Sequence, residues 1–122
     1  MREGRLTEEF RKRTKEFAAI IIRLYVKLPK NHEEVLVCAK QMLRSGTSVA
    51  AHSREASRAR SSAEFISKLG GALQETDETQ LWLELLTEEC RVDISMTAPI
   101  IDEARELIAI MTTIIRKTNS KC

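Results

Sequence analysis

Phe65 to Cys90 reads FISKLGGALQETDETQLWLELLTEEC. Within it Phe65, Leu69, Ala72, Thr76, Thr79, Leu83, Leu86 and Cys90 recur at alternating spacings of four and three. That 3.5-residue repeat lines one side of an α-helix. The same alternation appears three more times: at Phe10, Thr14, Phe17, Ile21, Leu24 and Leu28; at Val35, Ala39, Met42, Gly46, Val49 and Ser53; and at Ile101, Ala104, Ile108, Met111 and Ile115. Four such segments predict helices over about 6–28, 32–56, 62–91 and 98–117. Their shared repeat predicts packing near +20° in an all-α, antiparallel up-down-up-down four-helix bundle.

The breaks between the segments fit that reading. Proline disfavours helical geometry in the residue before it, so Leu28-Pro29-Lys30 ends the first helix. Asn31 followed by Glu34 resembles a capping box for the second helix, and Ser61 followed by Glu64 repeats it for the third. The fourth helix is expected to start at Thr97, with Pro99 in its first turn, where a missing N–H costs nothing. Short connections make each helix antiparallel to the one before it, within one domain over residues 1–122.

Composition narrows the class further. The 122 residues include four glycines, two prolines and five aromatics, too few turn and strand formers for an all-β fold. The 43% hydrophobic content is too high for a disordered chain. No apolar run reaches the roughly 18 residues of a membrane span, and no signal-peptide pattern opens the chain. A cytoplasmic protein with no membrane partner is expected. The three cysteines, Cys38, Cys90 and Cys122, form no Cys-x-x-Cys pair, and His32 and His52 have no ligand-spaced neighbours. No zinc site is expected, and a reducing compartment fits.

The net charge of +2 conceals a division. Residues 1–70 carry 15 Lys/Arg against 8 Asp/Glu, and residues 71–122 carry 5 against 10. A basic face for nucleic acid is one reading; complementary helices attracting each other is the other. The stretch from Arg44 to Arg60 is rich in small residues and then turns basic at Arg54, Arg58 and Arg60. Arg54 and Arg58 share a helix face and suit forked contacts to phosphate, or to an acidic helix. With Arg11, Lys12, Arg13, Arg44 and Lys68 they make up the candidate nucleic-acid or partner-binding set. Gly46, Gly70 and Gly71 each weaken a helix by roughly 1 kcal/mol relative to Ala, which points to close packing inside the bundle or between subunits.

Two helices carry more apolar surface than a lone bundle needs. The first is apolar nearly all round from Phe17 to Ile22 and on through Leu24, Tyr25 and Val26. The fourth adds Ile100, Leu107 and Ile114 beside its stripe. Either these faces meet another subunit, with Phe17, Ile20, Ile22, Tyr25, Trp82 and Leu107 as interface residues, or the core is unusually wide. The sequence supplies no catalytic constellation. Glu75, Asp77 and Glu78 read as a solvated face, no Glu-x-x-His pair suits a bundle metal site, and His52 has no partner acid placed for a triad. No enzyme and no cofactor are expected.

Several segments resemble, in order and spacing, the four-helix-bundle proteins related to the 23S rRNA intervening-sequence protein. They are Leu28-Pro29-Lys30, Leu43 to Ala56, Ala59 to Leu69, Ala72 to Thr76 and Thr79 to Leu86, and the likeness spans about residues 15–118. Arg44, Ser48, Glu55 and Lys68 match the family pattern, whereas His52 stands where Asn is usual and Ser53 where Tyr or Ile is common. The resemblance implies a homopentamer of four-helix bundles. A related branch, the accessory variability determinants of diversity-generating retroelements, implies a basic surface that meets a reverse transcriptase and RNA or DNA. A sequence pI near 8.5 is low for a strong nucleic-acid binder.

Overall fold

The computed structural model describes residues 5–120 and contains four helices: α1 (Glu8–Lys27), α2 (Glu33–Ser57), α3 (Ser62–Glu88) and α4 (Ile94–Ser120). They form the expected antiparallel bundle. α2 packs most extensively on α3, α1 lies on α2, α4 lies on α3, and α1 and α4 meet least. Contacts run in reverse order across each pair. Arg44 reaches Glu78 while Lys68 reaches Glu55, and Arg13 near the start of α1 meets Glu106 in α4.

The predicted stripes of α1, α2 and α3 are buried, with Cys90 half-buried at the end of the third. α4 is turned relative to expectation. Thr97, Ile100, Ala104, Leu107 and Met111 face the core, while Ile101, Ile108 and Ile115 are only half-buried. Both series have helical spacing, so packing against α3 selects between two adjacent apolar faces.

The helix ends explain the shifted boundaries. Thr7 caps α1 by accepting from Phe10 N–H, and Lys30 Nζ donates to the Leu28 carbonyl (2.6 Å) and to the Tyr25 carbonyl at its other end. The Asn31 cap does not form. His32 is the N-cap of α2 and makes no side-chain cap bond, so Glu33 and Glu34 fall in the first turn, where the helix dipole favours them. Ser61 caps α3 as expected, but Glu64 reaches back to Arg60 N–H (2.7 Å) rather than to Ser61. α4 starts at Ile94, before Thr97, because the Asp93 carboxylate accepts from Ser95 N–H (2.8 Å). That bond holds the Asp93 carboxyl below its ordinary range. Pro99 therefore lies inside the helix rather than in its first turn.

Two glycines are packed against side chains and one is not. A Cβ on Gly46 would lie 2.8 Å from Ile21 Cγ1 and 2.9 Å from Ile21 Cγ2, so glycine sets the α1–α2 approach. A Cβ on Gly71 would touch the His52 ring at 3.4 Å, whereas one on Gly70 would meet nothing within 4 Å. Cys38 and Cys90 are half-buried free thiols against the core. Burial, and then the neighbouring Cys38, pushes the Cys90 thiol up to about 11.

These contacts carry two expectations. Gly46→Ala should lose about 1–2 kcal/mol in urea unfolding, because the stiff β-branched Ile21 cannot retreat and overpacking outweighs helix propensity. Gly70→Ala should instead gain up to about 1 kcal/mol, and equal losses at both sites would contradict the packing described. At pH 8, Cys90 should alkylate roughly a hundredfold more slowly than glutathione, gaining about tenfold per pH unit up to its raised pKa. Site-resolved mass spectrometry would show this, and labelling of Cys90 at the glutathione rate would contradict its burial.

Candidate functional site

The small residues of α2 shape the site. Ser45, Gly46, Val49, Ser53, Ala56 and Ser57 all turn inward and are buried, which draws α1 and α3 close on either side. What remains outside is a ridge with Ala50, Arg54 and Arg58 along it. A groove runs down each flank. The one toward α3, about 690 Å³, is lined from α2 by Ala50, Ala51, Arg54, Glu55 and Arg58, and from the α3 side by Glu64 and Lys68. The one toward α1, about 420 Å³, is lined by Arg11, Thr14 and Lys15 together with Ala50, Arg54, Ser57 and Arg58.

The two grooves differ in charge. Toward α3, Lys68 Nζ lies 3.8 Å from Glu55, whose carboxylate is also 3.2 Å from His52 Nδ1. Toward α1, among the described residues, the lining holds four cations and no acid. Arg5 donates its Nε–H to the Ala59 carbonyl at 3.1 Å, placing a further cation near that end of α2.

The eight basic residues proposed from sequence therefore separate. Arg11, Arg54 and Arg58 come together in the α1–α2 groove, and Arg54, Arg58 and Lys68 line the α2–α3 groove. Arg13 is drawn away. It forms a two-pronged pair with Glu103 (2.7 and 2.9 Å) and a contact to Glu106 (2.5 Å), which together hold its guanidinium firmly charged. Arg44 lies between Glu75 (3.8 Å) and Glu78 (3.3 Å) of α3, and Lys12 pairs with Glu8 within α1. Glu75 is accordingly not the solvated residue expected, since its side chain is only 18% exposed. Arg60 is exposed in the α2–α3 turn, outside both grooves.

Lys15 and Ser57 were not among the sequence candidates. Lys15 had a readable signal, being one helical turn from Arg11 on the same face. Ser57 had none, because its place depends on how α1 crosses α2.

The proposed interface residues separate as well. Phe17 and Leu107 are buried in the chain's own core and have no outward surface left to share. Ile20, Tyr25 and Trp82 are half-buried against that core, with Lys30 Nζ 4.4 Å from the centre of the Tyr25 ring. Ile22 and Val26 point outward at 46% and 72% exposure. Between α1 and α4 an apolar seam stays open. Ile20, Leu24, Met96 and Ile100 line one part of it beside Arg23 and Lys27, and Phe10, Ile110 and Ile114 the other beside Glu9 and Arg13, with the Arg13–Glu103 pair between the two.

Among the described residues, no group of three or more His, Cys, Asp or Glu is placed to hold a metal ion. No helix there is long and apolar enough to cross a membrane.

Comparison with known proteins gives this arrangement a family. No curated protein matches the chain. The chain is similar to a crystal structure described as a protein of unknown function from the S23 ribosomal protein family of Bacteroides thetaiotaomicron VPI-5482. The two share 40% identity and a TM-score of 0.79, over 86% of this chain and 96% of the other. Residues 8–113 match the family described as 23S rRNA-intervening sequence protein. With nearly the whole bundle inside that match, the chain belongs to the 23S rRNA-intervening sequence protein family.

Proposed function

We propose that this protein is a non-enzymatic, homo-oligomeric four-helix-bundle scaffold of the cytoplasm, pentameric by family likeness. On the ridge of α2 it docks nucleic acid, or an enzyme that works on nucleic acid such as a reverse transcriptase. The observation that carries the assembly is the open α1–α4 seam, where Ile20, Leu24, Met96 and Ile100 at one end and Phe10, Ile110 and Ile114 at the other lie uncovered between charged neighbours. Uncovered apolar surface rimmed by polar and charged residues favours burial against another protein surface. A closed ring of identical subunits covers such a face without leaving an edge.

The docking half of the reading rests on Arg54 and Arg58. Among the described residues neither has a carboxylate within ion-pair distance, so their guanidinium groups remain available to phosphates. Four of the eight basic candidates are paired elsewhere: Lys12 with Glu8, Arg13 with acids of α4, Arg44 with acids of α3, and Lys68 with Glu55.

Light scattering after size exclusion should give a mass five times the 13.9 kDa chain. Ile110→Glu with Ile114→Glu should lower that mass while leaving the helical circular dichroism unchanged, because both side chains line the open seam and are only half-buried. A wild-type mass of one chain would overturn the assembly. RNA or duplex DNA should bind at about 50 mM salt and weaken by at least tenfold near 200 mM. Undetectable binding at the lower salt would leave a purely structural self-assembling protein.

A further inference from the structure

We infer that the groove between α1 and α2 is a discrete phosphoryl-binding pocket, with Ser57 at its floor and Lys15, Arg54 and Arg58 around it. This deepens the nucleic-acid arm of the proposed function, because it assigns phosphate recognition to one flank of α2 and to one buried hydroxyl.

Two independent observations converge there. The first is charge. Among the described residues the lining includes Arg11, Lys15, Arg54 and Arg58 without an acid, whereas the flank toward α3 contains Glu55 and Glu64. Among the described residues Lys15, Arg54 and Arg58 have no carboxylate partner. Lys15, Arg54 and Arg58, brought together by two helices, repel one another, and an anion between them removes that repulsion. The negative end of the α2 dipole lies nearby and opposes an anion, but its half charge is outnumbered.

The second is Ser57. This residue lines the groove, is 2% exposed, and its hydroxyl has no hydrogen-bond partner among the described residues. A helical serine ordinarily bonds back to a carbonyl one turn earlier, as Ser48 and Thr76 do here. A buried hydroxyl left without a partner destabilises the fold, and such groups concentrate where a ligand completes them. Thr14, on the facing helix, bonds instead to the Arg11 carbonyl, so Ser57 is the donor left for an incoming oxygen. A phosphoryl group matches this set: its oxygens are strong acceptors for forked arginine donors and for a hydroxyl together.

Either an RNA backbone or a phosphomonoester offers that chemistry, and titrations separate them. Inorganic phosphate added at low ionic strength should give saturable amide shifts in the NMR spectrum at Thr14, Ser57 and Arg58. Arg54→Gln with Arg58→Gln should weaken phosphate by tenfold or more, and Ser57→Ala by about fivefold. Arg44→Gln, outside the groove, should change nothing. Because Ser57→Ala removes an unpartnered buried hydroxyl, its melting temperature should hold or rise while phosphate affinity falls. A hydroxyl with a packing role alone would not separate those two readouts.

RNA oligonucleotides with and without a 5′-phosphate then identify the source. Dependence on the 5′-phosphate means a terminal monoester occupies the pocket, and equal binding means the backbone does. Absence of saturable shifts with phosphate, or RNA affinity untouched by the Arg54, Arg58 and Ser57 variants, overturns the pocket and leaves RNA docking elsewhere on the ridge. Phosphate binding without RNA binding keeps the pocket and removes the nucleic-acid arm.

Discussion

The approach of α1 to α2 at Gly46 is the constraint on which the rest of the molecule depends. Ile21 occupies the space where a Cβ would stand, and β-branching leaves it little rotameric freedom to move. Because α1 is seated this closely, Phe17 and Ile21 are buried against the chain's own core. The same seating brings Arg11 and Lys15 of α1 beside Arg54 and Arg58 of α2. A wider crossing would fill the core with larger side chains and part the two basic edges. The small-residue stretch Ser45, Gly46, Val49, Ser53 and Ser57 is thus one device with two effects, a tight interface inside and a cationic cleft outside.

The division of charge between the halves of the chain has a mixed outcome. Much of it is internal attraction: Arg13 is clamped by Glu103 and Glu106, and Arg44 sits between Glu75 and Glu78. These pairs are at least partly exposed, so each contributes little to stability, yet together they specify which helices lie side by side. Arg54, Arg58 and Lys15 are among the cations that this matching leaves over, and the fold gathers them in one groove. A nearly neutral chain can therefore present a locally strong cationic cleft.

The bundle was legible because burial follows a period that the sequence states directly. Every apolar stripe residue of α1 and α2 is buried, from Phe10 to Leu28 and from Val35 to Val49. α4 was ambiguous because Ile100, Ile101, Leu107 and Ile108 offer two neighbouring apolar faces, and only contact with α3 chooses between them. Its start was misplaced because Pro99 is a conspicuous signal and Asp93 a quiet one. The basic site was legible in part. Arg11-Lys12-Arg13 reads as one cluster, but successive helical residues point about 100° apart, so the run divides among a groove, solvent and α4. Ser57 was beyond reach, since an unpartnered hydroxyl exists only once α1 has docked.

That angular division also bears on how assembly and docking coexist. Arg13 and Ile20 face α4 and the open seam, whereas Arg11 and Lys15 face α2. Residues two apart on a helix lie roughly 200° apart, so seam and groove occupy opposite flanks of α1. A subunit contact that covers the seam leaves the groove untouched, and a ring built that way repeats the cleft once per subunit. Under the proposed function, each cleft taken alone would make only a few phosphate contacts and bind weakly. Several held at fixed spacing would engage one nucleic-acid strand together, the second contact then being made at high effective concentration. The proposed assembly through α1 and α4 would thereby supply what the modest net charge of one chain lacks.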